Sequence, residues 1–412
     1  MSQENNQNQT NKIWHLFEAY GIELEYMLVN QNSLQAVPLA DLVLGETGEL
    51  NNGVVSWSNE LAKHIIEIKT TGPKKDLLQA SLDFQDNIRK INNILKPQGA
   101  CLLPTAAHPW LDPKDAELWH HECTNIYKAY DRIFNCQGHG WVNLQSTHLN
   151  LPFANDQEFK ILHTAIRVLL PILPALAASS PFLDFKPTGL MDTRLKFYNQ
   201  NQKNIPEISA KIIPELVFSQ GEYQEKILEK SYQAISSYDP EGLLKHEWLN
   251  SRGAIARFSR MAIEIRILDI QECPKMDISI VGLIIEILKK LVDQSWADFD
   301  DQASFSEEDL SKIYQESIVH GMQAKITNSA YLKLFGLENK NQNLILKDLW
   351  QHCVNKLGAL AEPYLDNIKI ILESGCLAER MLKNYSKNPS PEKIREIYQD
   401  LRLCLERGEA YV

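Results

Sequence analysis

Glu23 and Glu25 alternate in the run GIELEYMLV at 21 to 29, which reads as a strand carrying both acids on one face. Ile22, Leu24, Tyr26 and Leu28 share the other face, while Met27 and Val29 continue the acidic one, so both faces are expected to be covered. Carboxylates two residues apart on a strand lie about 7 Å apart and repel by about 2 kcal/mol at an effective dielectric of about 20. Two things offset that. One is a strand edge with water or basic partners; the other is a divalent cation that takes carboxylate oxygens.

The same pattern recurs in three more strand-like runs. In MAIEIRILDI, alternation puts Glu264, Arg266 and Leu268 on one face, and Ile263, Ile265, Ile267 and Asp269 on the other. In QSTHLNLPF, Ser146, His148 and Asn150 share a face; in NELAKHIIEIKT, Glu60 precedes a turn and Glu67 sits mid-strand beside Lys69. Taken singly, each has a plain structural reading: a self-neutralising Glu264–Arg266 pair, a hydrogen-bonded His148, a Glu67–Lys69 ion pair. Taken together, acids in three covered strands and a histidine in a fourth point to a metal site. Rich in oxygen and without a His-x-x-His or Cys pair, it favours Mg²⁺ or Mn²⁺ over Zn²⁺.

Absent motifs narrow the chemistry. The chain has no GxxxxGK[ST] loop, no GxGxxG after a strand, no HExxH and no GxSxG. A nucleotide would therefore be held by metal-bridged phosphates and by arginines, for which Arg194, Arg252, Arg257, Arg260 and Arg266 are candidates.

The elements that must position these groups are strands at 21–29, 64–70, 101–106, 141–153 and 261–270. Helices are expected at 74–95, 117–134, 156–178, 222–235, 276–294, 306–323, 346–374 and 391–407. The class is α+β: a polar, disordered lead over 1–12, then a single catalytic domain over 13–412, strand-rich to 272 and helical from 273. The acidic run near 300 is the best linker candidate. Among 412 residues the formal charge is −11, and no basic stripe favours nucleic acid or an anionic membrane; small molecules are the expected partners. The longest apolar run, 161–178, is interrupted by His163, Arg167, Pro171 and Pro174, as suits a buried helix rather than a membrane span. Seven cysteines without a CxxC pair are cytoplasmic usage. Apolar helix faces at 276–294 and 362–374 leave a homo-oligomer open.

GIELEY, the Glu60–Glu67 spacing, QSTHLN, SSPF followed by TGLMDTR, AIEIRILD and the late ILESGCLAERML occur in an order that resembles the ATP-dependent carboxylate-amine ligases of the glutamate-cysteine ligase type 2 group. The resemblance spans about 13 to 405. It implies a glutamine synthetase-like fold: a curved antiparallel sheet forming a funnel-shaped active site, with helices outside and a helical C-terminal layer. It also implies ATP and two or three divalent ions, Mg²⁺ or Mn²⁺. By this resemblance Glu23, Glu25, Glu60, Glu67, His148 and Glu264 are metal ligands, and Glu264 and Arg266 serve catalysis. Asn150, Arg252 and Arg266 lie toward the nucleotide, and Arg194 and Glu67 toward the acid substrate. The sequence departs from many relatives in pairing His148 with Asn150 rather than a second histidine, in Ser179 before Ser180-Pro181-Phe182, and in the polar run FYNQNQKN at 197–204. The implied activity joins glutamate to an amine, cysteine first, through an acyl phosphate. The alternatives are a phosphotransferase of guanidino-kinase type and a non-catalytic binding protein on a ligase scaffold.

Overall fold

Alternating Ile22, Leu24, Tyr26 and Leu28 commit the first strand to a core on one side, and the rest of the sheet follows that side. The structure is a computed structural model and describes residues 12–121, 123–337 and 344–412. Apart from Lys12, the polar lead expected over 1–12 lies outside the described residues. Among the described residues ten strands form: β1 (Gly21–Asn30), β2 (Glu49–Asn51), β3 (Val55–Asn59), β4 (Ile65–Thr70), β5 (Ala100–Leu103), β6 (Ser146–Pro152), β7 (Phe182–Leu183), β8 (Lys186–Pro187), β9 (Ala254–Arg257) and β10 (Ala262–Asp269). Seven run in the order β2-β3-β4-β1-β6-β10-β9, and β5 pairs with the second half of β1 where β6 has left it. Every pairing is antiparallel, and the sheet is not closed into a barrel. β7 and β8 make a separate two-stranded ribbon.

On the core side Ile22, Leu24, Tyr26, Ile66, Ile68, Leu149, Leu151, Ile263 and Ile265 are buried against the helices Leu77–Leu95, Asp156–Leu169 and Pro274–Val292. Asp76 caps the first of these by accepting from Gln79 N, and Asn155 caps the second through Glu158 N. The opposite side is polar over the first half of β1. Further along, Met27 and Val29 pack with Leu377, Met381, Ile394, Ile397 and Leu401 of the helices Leu377–Tyr385 and Pro391–Arg407. Both faces of β1 are thus covered, as its composition requires. Beyond Asp269 every described element is helical. The apolar stretch Asp156–Ala177, long enough by length and composition to cross a bilayer, is mostly buried inside the fold.

Four boundaries depart from the sequence-based expectation. Residues 117–119 are not helical: they pair as extended chain with 61–63, through Lys63 N to Glu117 O and Trp119 N to Leu61 O, and the helix begins at Thr124. The strand expected from 141 starts at Ser146, because His139–Val142 is a helical turn. Gly358, at φ +57°, and Pro363 break 346–374 into helices Leu346–Leu357 and Leu365–Ser374 joined by a tight 3-10 stretch. The acidic run near 300 is no linker. Asp298 caps the short helix Phe299–Ala303, and the buried Gln302 amide donates to Leu291 O and Ala297 O.

Asp277, in the first turn of Pro274–Val292, makes the core pH-sensitive. Its Oδ1 accepts from Thr147 Oγ1 (2.6 Å) and Gln271 N (2.9 Å), and burial pushes the carboxyl up to about 8. An unfolded Asp titrates at about 3.9, so folding takes up a proton in between. The associated stability is complete below pH ~4 and is lost as pH rises through about 8. Thermal unfolding at pH 6 and pH 9 should show a fall in Tm that is clearly smaller in Asp277→Asn; equal falls would mean that Asp277 does not titrate in the fold.

Candidate active site

Strand register gathers the site. Directly opposed residues on paired strands share a face with Cβ atoms about 5 Å apart. Glu23 lies opposite both Lys69 on β4 and His148 on β6, Glu25 opposite Glu67, Ser58 opposite Glu67, and Glu264 opposite Asn150. Four adjacent strands, β4-β1-β6-β10, therefore present one continuous polar face, with Glu60 approaching from the turn before β4.

Hydrogen bonds fix the side chains there. His148 Nδ1 is 3.1 Å from Glu23 Oε2, and its Nε2 is 2.8 Å from Ser146 Oγ. Ser146 donates to Glu25 Oε2 through both N (2.6 Å) and Oγ (2.9 Å). Asn150 Nδ2 donates to Glu23 Oε1 at 3.1 Å. Glu67 Oε1 accepts from Ser58 Oγ (2.8 Å) and Lys69 Nζ (3.0 Å).

Two triplets meet within this cluster. Glu23, Glu67 and His148 each place a ligand atom within 4.8 Å of the others, as do Glu25, Glu60 and Glu67. Glu67 belongs to both. The electrostatics are those of crowded carboxylates: burial, then Glu67, push Glu23 up, and burial, then Glu25 and Glu67, push Glu60 well up. Burial acts on Glu67 in the same direction but is outweighed by Lys69 and His148, which hold it at about 2. His148 would be lowered by burial, yet the Glu23 hydrogen bond and the Glu25 charge raise it to about 9. Four carboxylates and one imidazole, oxygen-rich and mutually repelling, fit a pair of Mg²⁺ or Mn²⁺ ions that share Glu67.

Glu264 stands beside the triplets rather than in them. Its Oε1 is 3.0 Å from Arg266 Nε and 3.9 Å from His148 Nδ1, and its Oε2 accepts from Arg257 Nη1 at 3.1 Å. Burial raises its carboxyl, but Arg266, His148 and Arg257 outweigh it and the net shift is downward. In this geometry Glu264 holds two arginines in place.

A bulge in β10 moves Asp269. Ile265 pairs with Leu149 and Leu268 with Thr147, so β10 spends one residue more than β6 between them. Asp269 then lies opposite Ser146, on the face of Glu264, where strict alternation had put it on the far face. Its Oδ2 accepts from Ser179 N (2.9 Å) and Ser180 Oγ (2.8 Å), and Arg194 Nε is 3.6 Å from its Oδ1. Arg194 Nη2 donates to Arg266 O at 2.7 Å, while its buried Nη1 has no hydrogen-bond partner among the described residues.

Arg252 lies apart from this cluster. All three of its nitrogens are engaged: Nε with Glu215 Oε2 (2.5 Å), Nη2 with Glu215 Oε1 (2.6 Å), and Nη1 with Asn250 Oδ1 and the carbonyls of Glu207 and Ile208. Such a network fixes the segment before β9 and leaves no free fork for a nucleotide. From NSRGAIARF it is Arg257, not Arg252, whose guanidinium reaches the cluster. Sequence reading also missed Ser146 as a partner of Glu25 and the tyrosines around the site. Tyr127 OH accepts from Asn59 Nδ2 (3.1 Å) beside Glu60, and the Tyr198 ring lies 6.0 Å from the Arg194 guanidinium. Strand parity puts Ser146 on the face of His148 without revealing Glu25 as its partner, and nothing local marks the tyrosines.

The chain and its fold are similar to known proteins. Along 93% of its length the chain is 34% identical to an uncharacterised protein of Archaeoglobus fulgidus, 98% of which is matched. The fold matches the glutamate-cysteine ligase of Francisella tularensis in complex with AMP at a TM-score of 0.64, over 96% of this chain and 90% of that one, at 14% identity. It also matches a bifunctional glutathione synthetase of Pasteurella multocida at a TM-score of 0.59 and 15% identity, over 94% of this chain and 53% of that one. Identities this low speak for the fold alone. The sequence pattern of glutamate-cysteine ligase family 2 matches residues 19–400, and with the sheet, register and acidic face described above this chain belongs to that family.

Proposed function

We propose that the protein is an ATP-dependent carboxylate-amine ligase that makes a γ-glutamyl amide, with glutamate and cysteine as first substrates, in the cytoplasm. The observation that carries this reading is Glu67 shared by two ligand triplets beside the Glu264–Arg266 pair. A carboxylate does not condense with an amine at neutral pH, so its oxygen first attacks the γ-phosphorus of ATP, ADP leaves, and an acyl phosphate remains. The amine then attacks the acyl carbon, and phosphate departs with the bonding pair.

Glu23, Glu25, Glu60, Glu67 and His148 would hold the divalent ions, whose positive charge would offset the negative charge developing in the phosphoryl transfer. Lys69 and Ser58 hold Glu67, and Ser146 holds Glu25 and His148, so the ligand atoms keep their places. Arg266 aims its guanidinium at the transferred phosphoryl group, oriented by Glu264. Arg194 offers its unpartnered Nη1 to the carboxylate of the acid substrate. No activated nucleophile is needed, because positioning and electrostatics supply the rate. The AMP in the Francisella enzyme supports a nucleotide on this fold.

Phosphate release from ATP and Mg²⁺ with glutamate, with and without cysteine or hydroxylamine, tests the reading. Glutamate-dependent phosphate that rises with an amine is expected. A stable phosphorylated product with no free phosphate would show a guanidino-kinase type phosphotransferase instead, and no turnover with any acid would leave a binding protein. For Arg194→Lys, KM for the acid should rise about 10- to 100-fold, the worth of one charged hydrogen bond of about 1.5–3 kcal/mol, with kcat changing less. An unchanged KM would place the carboxylate elsewhere.

A further inference from the structure

A second group of ligating side chains shares no residue with the acidic face. We propose that Asp41, His120 and His121 form a site for a borderline transition ion such as Zn²⁺. One ligand atom from each lies within 4.8 Å of the other two. Asp41 Oδ1 and His121 Nε2, both buried atoms, face each other at 3.5 Å, within ion-pair reach but outside good hydrogen-bond geometry. This separation also suits two ligand atoms that share one cation, since bonds of about 2 Å from each would span it.

The backbone prepares the same place. Side chains at consecutive positions of an extended segment point apart. Here the His120 and His121 rings instead lie side by side, with centroids 4.3 Å apart and planes inclined by 35°. The buried Trp119 sets its ring edge against His121 at 4.9 Å and 66°, which fixes the imidazole. Lys63 Nζ is 2.8 Å from Asp41 Oδ2, so the carboxylate is oriented through one oxygen and keeps the other, Oδ1, for an ion. The lysine charge lowers affinity for a cation without blocking the ligand atom.

Two imidazoles and one carboxylate suit Zn²⁺, with water completing four-coordination; the oxygen-rich acidic face suits harder ions. The two sites therefore divide by ligand chemistry. An ion on Asp41, His120 and His121 would tie the chain ahead of helix Thr124–Phe134 to helix Ala40–Leu44. That first helix carries Tyr127, whose hydroxyl meets Asn59 beside Glu60.

The test is Co²⁺ and Zn²⁺ titration of the full chain in saturating Mg²⁺, followed by visible absorption of Co²⁺ and by metal stoichiometry. One equivalent with four-coordinate Co²⁺ bands, displaced by Zn²⁺, is expected in the wild type and in Glu67→Gln. It should be lost in Asp41→Asn and His121→Ala, and bound several-fold more tightly in Lys63→Met. If His121→Ala does not fold, the near-isosteric Asp41→Asn decides. No uptake by the wild type, or equal uptake in wild type and Asp41→Asn, overturns the site.

Discussion

Glu67→Gln should abolish turnover, lowering glutamate-dependent phosphate release about 10³-fold or more, with little change in Tm. Glu67 is the one residue common to both ligand triplets, so a neutral amide there weakens two cation sites at once. Loss of a single preorganised electrostatic contact costs about 10²–10³ in kcat, and two sites coupled through one residue lie at or above the upper end. Stability should move little, because the amide keeps the shape and still accepts from Ser58 and Lys69. The lost Lys69 ion pair is countered by relief of repulsion on Glu23 and Glu60. Titration of Mg²⁺ by calorimetry should show loss of both binding events. Wild-type turnover in this variant would remove the metal assignment.

Arg266→Ala should lower kcat about 10³-fold while leaving KM for the acid substrate nearly unchanged. Among the site arginines its side chain is the most exposed, at 26%, against 14% for Arg257, 3% for Arg194 and 2% for Arg252. Of these four it has the most free surface to offer a phosphoryl group. Burial disfavours its charge, but Tyr198 and Glu264 outweigh that and raise its pKa, so it is a cation throughout the working range. Arginines aimed at a transferred phosphoryl group contribute about 10³–10⁵ in kcat. Arg266→Lys should fall between the two, keeping the charge but losing the fork. A KM effect without a kcat effect would instead make Arg266 a substrate-binding residue.

Part of this was legible in residue order. Alternation placed Glu23 and Glu25 on one face, His148 with Asn150, and Glu67 with Lys69, because side-chain direction in an unbroken strand follows from parity alone. The helical content after 273 followed from apolar periodicity, and the burial of 161–178 from the His163, Arg167, Pro171 and Pro174 that interrupt it. Asp269 was misplaced because a bulge shifts parity without leaving a mark in the sequence, and only the β6–β10 register reveals it. The engagement of Arg252 is not legible in residue order because it depends on Glu215, 37 residues away, meeting it in space. Residues 117–119 were taken for helix because pairing with 61–63 overrides local preference.

The sequence by itself determined which groups could do chemistry and, wherever a strand is unbroken, which face they occupy, since both follow from residue type and the two-residue period. Only the tertiary structure decided which strands are neighbours. That choice is made by long-range packing of the apolar faces against the helices, and through it Glu67 came to be shared by two triplets and Arg252 was set apart from the site.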